Sequence, residues 1–96
     1  MANETGDYSF TVNAETAASI HDDGVVILDN RSGRLFSSNL TGASIWRRIV
    51  QQVPFEAIAD EISGEYRIAL TIAREHTARF LAELERNNLI ARTGKS

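Results

Sequence analysis

Residues 24–46 read GVVILDNRSGRLFSSNLTGASIW, and this stretch decides the fold class. A short apolar run, Val25–Asp29, is β-branched at its start and too short for a helix, so it predicts a strand. Asn30 opens a turn well, and Gly33 supplies the positive φ at the turn's end. The chain then returns as a second strand from Arg34 to Ser37, and the stretch therefore predicts a hairpin.

The same stretch ends at the start of a helix. Either Asn39 or Thr41 can cap its first turn, and we expect the helix to continue to about Gln52. Apolar side chains recur there at three- and four-residue spacing, so they share one face. These side chains are Leu40, Ala43, Trp46, Ile49 and Val50. Trp46 lies on this apolar stripe, which indicates a core residue.

Upstream of the hairpin the pattern is less regular. Tyr8, Phe10 and Val12 alternate with polar residues, and this period of two predicts a first short strand. The Ala-rich segment 13–21 is ambiguous and is left unassigned. Residues 1–7 are polar and acidic, and we expect them to form a loose tail.

Two more helices are predicted downstream. Pro54 suits the first turn of a second helix, which we expect to end near Ile62 because Ser63 and Gly64 follow. A third helix is predicted from about Ala69 to about Asn87. The predicted apolar faces are Phe55, Ile58 and Ile62 on the second helix, and Ile72, Thr77, Phe80, Leu81 and Leu84 on the third.

The end of the chain completes the predicted fold. Leu89 and Ile90 can fold back onto the core, and residues 92–96 form a polar tail. Strands followed by helices indicate an α+β fold rather than a parallel α/β sheet. The whole chain, 1–96, is expected to form one domain with an ordered core at about 8–91.

The composition argues against several classes of protein. The chain has no cysteine, which excludes disulfides and thiolate metal sites and fits a reducing compartment such as the cytoplasm. Its net charge of -3 disfavours nucleic-acid binding, which usually shows as a basic surplus. No apolar run approaches the roughly 18 residues of a membrane span, and no signal-peptide pattern opens the chain. We therefore expect a cytoplasmic protein with no membrane or nucleic-acid partner.

The search for catalytic and metal-binding residues is empty. His21, Asp22 and Asp23 are better explained as a solvated turn, because no second cluster supplies further metal ligands. His76 lies within the third predicted helix, where no nucleophile can be assigned to it. No cofactor motif is present. We predict a binding protein rather than an enzyme, with no catalytic residue, no cofactor and no metal.

One run of residues is fairly specific, Asn39-Leu40-Thr41-Gly42-Ala43-Ser44-Ile45-Trp46 at the start of the first helix. A matching hydrophobic pattern surrounds it, in Gly24–Asp29, Ser32–Phe36, Ile58, Tyr66, Phe80–Leu84 and Leu89–Ile90. Together these residues resemble the PqqD family, also called the RiPP recognition element. Within that family the sequence looks somewhat closer to the lasso-peptide members.

The resemblance implies a three-stranded antiparallel sheet followed by three helices, similar to a winged helix-turn-helix. It also implies that the protein binds the leader segment of a ribosomally synthesised precursor peptide, which a separate modifying enzyme or protease then acts on. The leader would add as a strand beside the hairpin's second strand and lie against the third helix. The implied peptide-binding residues are Arg34, Leu35, Phe36, Ser37, Ser38, Ile72, His76, Arg79, Phe80 and Glu83. We expect a monomer.

Simple strand geometry agrees with this assignment. Leu35 and Phe36 point to opposite faces of their strand, so one can enter the core while the other lines a groove. Three departures from the family pattern affect the specificity of the groove more than the fold. Ser38 stands where Leu is usual, His76-Thr77 where Asp-Val is common, and Ala69 where a polar cap is usual.

A winged-helix nucleic-acid-binding protein is the alternative interpretation. Its recognition helix would need basic residues that reach bases or phosphates. The third helix carries three arginines and three glutamates: Arg74, Glu75, Arg79, Glu83, Glu85 and Arg86. This balance of charge argues against the alternative.

Overall fold

The computed structural model describes residues 8–93. Within that range the elements are β1 (Ser9–Val12), β2 (Thr16–His21), β3 (Gly24–Asp29), β4 (Arg34–Ser38), α1 (Leu40–Val50), α2 (Phe55–Tyr66), α3 (Leu70–Arg86) and β5 (Ile90–Thr93). The predicted N-terminal tail, residues 1–7, and residues 94–96 of the predicted C-terminal tail lie outside the described residues.

Strands β2, β3 and β4 form an antiparallel sheet in that order. In the β3–β4 hairpin, Val25 lies opposite Ser38, and Asp29 lies opposite Arg34. The predicted α+β class, with a three-stranded antiparallel sheet and three helices, is confirmed. The first strand of that sheet is β2, however, which the sequence pattern left unassigned. The strand predicted around Tyr8–Val12 instead pairs with β5 in a separate two-stranded sheet.

Both differences have a physical cause. Strand β2 has exposed side chains on both faces, so Ala17, Ala18 and Ser19 show no alternation of apolar and polar residues. Strand β5 extends into the predicted polar tail because Arg92 finds partners there. Its guanidinium lies 4.3 Å from the centre of the Tyr8 ring and donates a 3.2 Å hydrogen bond to Glu85.

The helix boundaries follow local capping chemistry. Asn39 caps α1, and its side chain accepts a 3.0 Å hydrogen bond from the Gly42 N–H. Helices α1 and α3 end within two residues of their predicted ends, at Val50 and Arg86. The predicted stop of the second helix near Ile62 is wrong, because Ser63 and Gly64 remain helical and α2 ends only where Arg67 adopts a left-handed conformation.

The core lies between the inner face of the sheet and the three helices. It contains Phe10, Val25, Ile27, Ala43, Ile45, Trp46, Ile49, Phe55, Ile58, Ile62, Ala73, Leu81, Leu84, Leu89 and Ile90. The prediction that Ile72 is buried is wrong, since this side chain is 41% exposed. The buried line on α3 runs instead through Ala73, Thr77, Leu81 and Leu84. Ile72 therefore lies one residue, about 100° around the helix, from that line.

Replacing Trp46 with alanine should destabilise the fold by about 3–5 kcal/mol, because a large aromatic that is only 3% exposed would leave a cavity. Val50→Ala on the same helix is the control, since Val50 is 55% exposed and should change stability by less than about 1 kcal/mol. Urea unfolding followed by circular dichroism measures both variants. Equal midpoints for the two variants would show that Trp46 does not contribute to the core as the structure indicates.

Candidate functional site

Strand β4 lies at the edge of its sheet, so one side of its backbone has no strand partner. The direction in which the unpaired N–H and C=O groups of β4 point follows from one hydrogen bond. In it, the Asn30 N–H donates to the Glu15 carbonyl at 2.9 Å. This bond continues the pairing of β2 with β3, because Thr16 lies opposite Asp29. Backbone groups alternate in direction along a strand, so Asp29, the next residue, directs its own groups towards β4.

The same alternation identifies the free groups of β4. Ile27 lies opposite Phe36, and in this register both residues direct their backbone groups at each other. Leu35 and Ser37 therefore direct their N–H and C=O groups away from β3, towards the open edge. On the side-chain level, Phe36 faces the helices and is half-buried, whereas Leu35 faces the other way and is 69% exposed.

A groove of about 450 Å³ runs between this open strand and α3. Its lining is Phe36, Ser37, Ser38, Asn39, Thr41, Gly42, Ile45, His76, Arg79, Phe80 and Glu83. We call it the β4–α3 groove. Its volume is in the range of sites that bind ligands or peptide side chains. Apolar rings and polar side chains both line it, which suits a peptide segment more than a purely apolar ligand.

Two aromatic rings of the β4–α3 groove pack against each other. Phe36 from the strand and Phe80 from the helix pack with their ring centres 6.0 Å apart. At one end of the groove, the first turn of α1 approaches β4 closely at Gly42. A β-carbon on Gly42 would lie 2.7 Å from the Ser38 Cβ and 3.1 Å from a ring carbon of Phe80. Only glycine leaves room for this approach.

The other end of the hairpin is tied to the end of α3 by Arg31. Its guanidinium donates to the Asp29 carboxylate at 3.0 Å and to the Asn88 carbonyl at 2.9 Å. Hydrogen bonds from the Arg31 side chain also lower the pKa of the Asp29 carboxyl below its ordinary value. Asn88 follows the last turn of α3, so this contact fixes the position of the hairpin relative to the helix.

The charged side chains of the groove form only weak ion pairs, and Arg79 is exposed whereas Glu83 is half-buried. Arg79 lies 3.3 Å from Glu75, with the two side chains 67% and 60% exposed. Glu83 lies 3.2 Å from Arg86, also within the helix. Pairs of this kind contribute only about 0.3–0.5 kcal/mol. They leave the groove's charges available to a ligand.

The structure brings together seven of the ten predicted site residues: Phe36, Ser37, Ser38, His76, Arg79, Phe80 and Glu83 line the groove. Arg34 and Leu35 line an adjoining recess of about 100 Å³, next to Asn87 and Leu89. Ile72 lines neither space. Sequence reasoning did not assign Asn39, Thr41, Gly42 and Ile45 to the site, although Asn39 was identified as a candidate cap.

Across residues 8–93, no three histidine, aspartate or glutamate side chains are close enough to hold a metal ion. None of the described helices is both long and apolar enough to cross a membrane. A second groove, of about 590 Å³, lies between β2 and α1 at the opposite edge of the sheet.

Comparison with known proteins connects this geometry to a family. The family model described as coenzyme PQQ synthesis protein D (PqqD) matches residues 24–90. A solved structure of TbiB1 in complex with the TbiA(beta) leader peptide superimposes with a TM-score of 0.77 and 25% identity, covering 88% of this chain and 96% of that one.

A second solved structure, lasso peptide synthetase B1 complexed with the leader peptide, has a TM-score of 0.78 and 28% identity. It covers 86% of this chain and 98% of the other. A search of the curated proteins gave no significant match. Both solved structures therefore match this chain over nearly their whole length, and both contain a bound leader peptide.

Gly42→Ala should destabilise the protein by about 1–3 kcal/mol, because the added methyl group would displace Ser38 or Phe80. Gly64→Ala is a matched control within a helix, where a β-carbon would meet nothing within 4 Å. Without a clash, that substitution should stabilise by about 0.5–1 kcal/mol through helix propensity. Thermal unfolding of both variants tests the idea, and a stabilised Gly42→Ala would contradict the close approach at the groove.

Proposed function

Since the chain belongs to the PqqD family, we propose that its β4–α3 groove binds the leader segment of a ribosomally synthesised precursor peptide. The observation that carries this proposal is the open edge of β4, which runs directly beside a groove of peptide dimensions. The two leader-peptide complexes that match the fold support it. A separate modifying enzyme or protease would then act on the captured precursor.

In binding by strand addition, backbone hydrogen bonds and side-chain contacts both contribute to the binding free energy. An extended peptide at the edge of β4 can pair with the N–H and C=O groups of Leu35 and Ser37, which makes up to four hydrogen bonds. At about 0.5–1.5 kcal/mol each, these contribute about 2–6 kcal/mol in all. Micromolar binding requires about 8 kcal/mol. Side chains of the leader in the groove must therefore supply the rest.

The side chains that line the groove can supply the remaining part of the binding free energy. Phe36 and Phe80 offer an apolar surface in the middle of the groove, against which a leader side chain can pack. His76, Arg79 and Glu83 offer polar and charged groups in the same groove. Alternate residues of an added strand point to the same face, so every second leader residue would face this surface. We propose that the side chains of Arg34 and Leu35, unlike the Leu35 backbone, contact the leader only at its end, beside the adjoining recess.

The proposal makes this protein a carrier of its peptide and assigns the covalent chemistry to the partner enzyme. His76, Arg79 and Glu83 line the groove from one helix. Among the described residues, no serine or threonine hydroxyl forms a hydrogen bond with His76 that could make it a nucleophile. We propose a cytoplasmic setting, where precursor peptides are synthesised, and this location stays a prediction.

The nucleic-acid alternative is not favoured. Each of the three arginines on α3 has a glutamate beside it that offsets its charge: Glu56 beside Arg74, Glu75 beside Arg79 and Glu83 beside Arg86. The net charge of the chain is -3. A surface of this kind has no excess of positive charge to offer to phosphates.

The purified protein should bind a synthetic leader peptide from the precursor gene adjacent to its own, with a Kd between about 1 nM and 10 µM. Fluorescence polarisation of the labelled leader measures this affinity. A scrambled leader of the same composition is the peptide control, and labelled duplex DNA at physiological salt is the control for the alternative. No leader binding at about 100 µM by folded protein would refute the proposal.

Ser37→Pro should weaken leader binding about tenfold or more while the protein stays folded, because it removes an N–H that faces the open edge. Phe36→Pro removes an N–H directed at β3 and should unfold the hairpin. Ala18→Pro is the matched control. Its N–H faces the open edge of β2, since Ala18 lies opposite Ile27 and the register places that group outward.

Circular dichroism and leader polarisation are measured together for all three proline variants. Loss of binding in folded Ser37→Pro, with normal binding in Ala18→Pro, is the expected result. The opposite pattern would move the leader to the edge of β2 and its larger groove. Unchanged affinity in both folded variants would mean that the leader docks through side chains alone.

A further inference from the structure

The charges along the β4–α3 groove are ordered by position. Arg79 lies earlier on α3 than Glu83, so the charge of the groove changes from basic to acidic along the helix. The helix runs antiparallel to β4, because Arg34 at the start of the strand shares a recess with Asn87 after the end of the helix. Arg79 therefore lies towards the Ser38 end of β4, and Glu83 lies towards the Arg34 end.

The spacing of these charges matches the repeat of a strand. Glu83 lies four positions after Arg79, which is a rise of about 6 Å along a helix. Two residues of an antiparallel strand span about 6.8 Å, and residues two apart point to the same face. A strand added to β4 can therefore place two successive groove-facing side chains opposite Arg79 and Glu83.

The partners that these charges have within the protein do not occupy the groove. Glu75 and Arg86, which pair with Arg79 and Glu83, are absent from the groove lining. Arg79 and Glu75 are both more than half exposed, so water already screens their interaction. An acidic or basic side chain that enters the groove can join or replace these weak pairs at little cost.

The direction of the added strand sets the order of the charges that it should carry. Every neighbouring pair of strands in the described sheets is antiparallel. A strand antiparallel to β4 runs parallel to α3 and passes Arg79 before Glu83. We propose, resting on the leader-binding function above, that the bound leader segment carries an acidic residue opposite Arg79 and a basic residue two positions later opposite Glu83.

A charge-swap experiment tests this pairing with the leader from the adjacent precursor gene. Each acidic residue of the leader is changed to lysine and each basic residue to glutamate, one at a time. The affinity of every peptide is then measured for the wild type, Arg79→Glu and Glu83→Lys by fluorescence polarisation. Arg86→Glu and Glu75→Lys are matched controls, because they make the same changes of charge on α3 outside the groove.

We expect one acidic position whose lysine variant binds the wild type about two- to fivefold more weakly, the range for an exposed pair, and regains affinity with Arg79→Glu. We expect a basic position two residues later that behaves in the same way with Glu83→Lys. Neither rescue should occur with the controls. Arg34→Glu is tested in parallel, because a rescue there would place the acidic residue at the opposite end of the groove and overturn the proposal.

The outcomes separate the charge pairing from leader binding itself. If the unmodified leader binds and Ser37→Pro weakens it, but no swap is rescued, the charge pairing is wrong and the binding function stands. Rescue in the reverse order, basic before acidic, would overturn the antiparallel placement on which the proposal rests. If the unmodified leader does not bind, both the function and the pairing fail.

Discussion

The contact between Phe36 and Phe80 sets the separation of β4 from α3, and most of the site depends on that separation. If the helix lay closer, its side chains would cover the edge of the strand, and the free groups of Leu35 and Ser37 would have no access to a peptide. Two further contacts keep the spacing from changing. Gly42 lets the first turn of α1 approach Ser38, and Arg31 ties the hairpin to the end of α3.

An open strand edge is normally a hazard, because unpaired backbone groups invite aggregation with other chains. In the two-stranded sheet, one edge of β1 is covered because it pairs with β5. In the three-stranded sheet, by contrast, β4 has a free edge and an exposed Leu35 on its outer face. Its five residues make the edge short, and charged α3 side chains flank the groove. These features limit non-specific pairing while leaving room for one extended peptide.

Local chemistry made much of this fold predictable, and tertiary contacts explain what was missed. The Asn30–Gly33 turn and the Asn39 cap depend on residues close in sequence, so the hairpin and α1 could be predicted. Strand β2 was missed because an exposed strand needs no apolar alternation. The burial of Ile72 was mispredicted because the sequence does not show how α3 is rotated about its axis. That rotation decides which of its apolar residues face the core. The packing role of Gly42 could not be predicted, since its closeness to Ser38 and Phe80 exists only in the folded chain.

Of the departures from the family pattern, one concerns the stability of the fold and two concern the specificity of the groove. Ala69 caps α3 without a side-chain hydrogen bond, and the helix still begins at the next residue, so the missing polar cap does not prevent the fold. Ser38 and His76 both line the groove. Ser38 faces Gly42, so a larger residue there would crowd the first turn of α1 and narrow the groove. At position 76 an aspartate would oppose an acidic side chain near Arg79, whereas histidine does not. If the leader binds as proposed, Ser38 leaves room for a larger leader residue at this end of the groove, and His76 avoids the repulsion that an aspartate would exert on an acidic one.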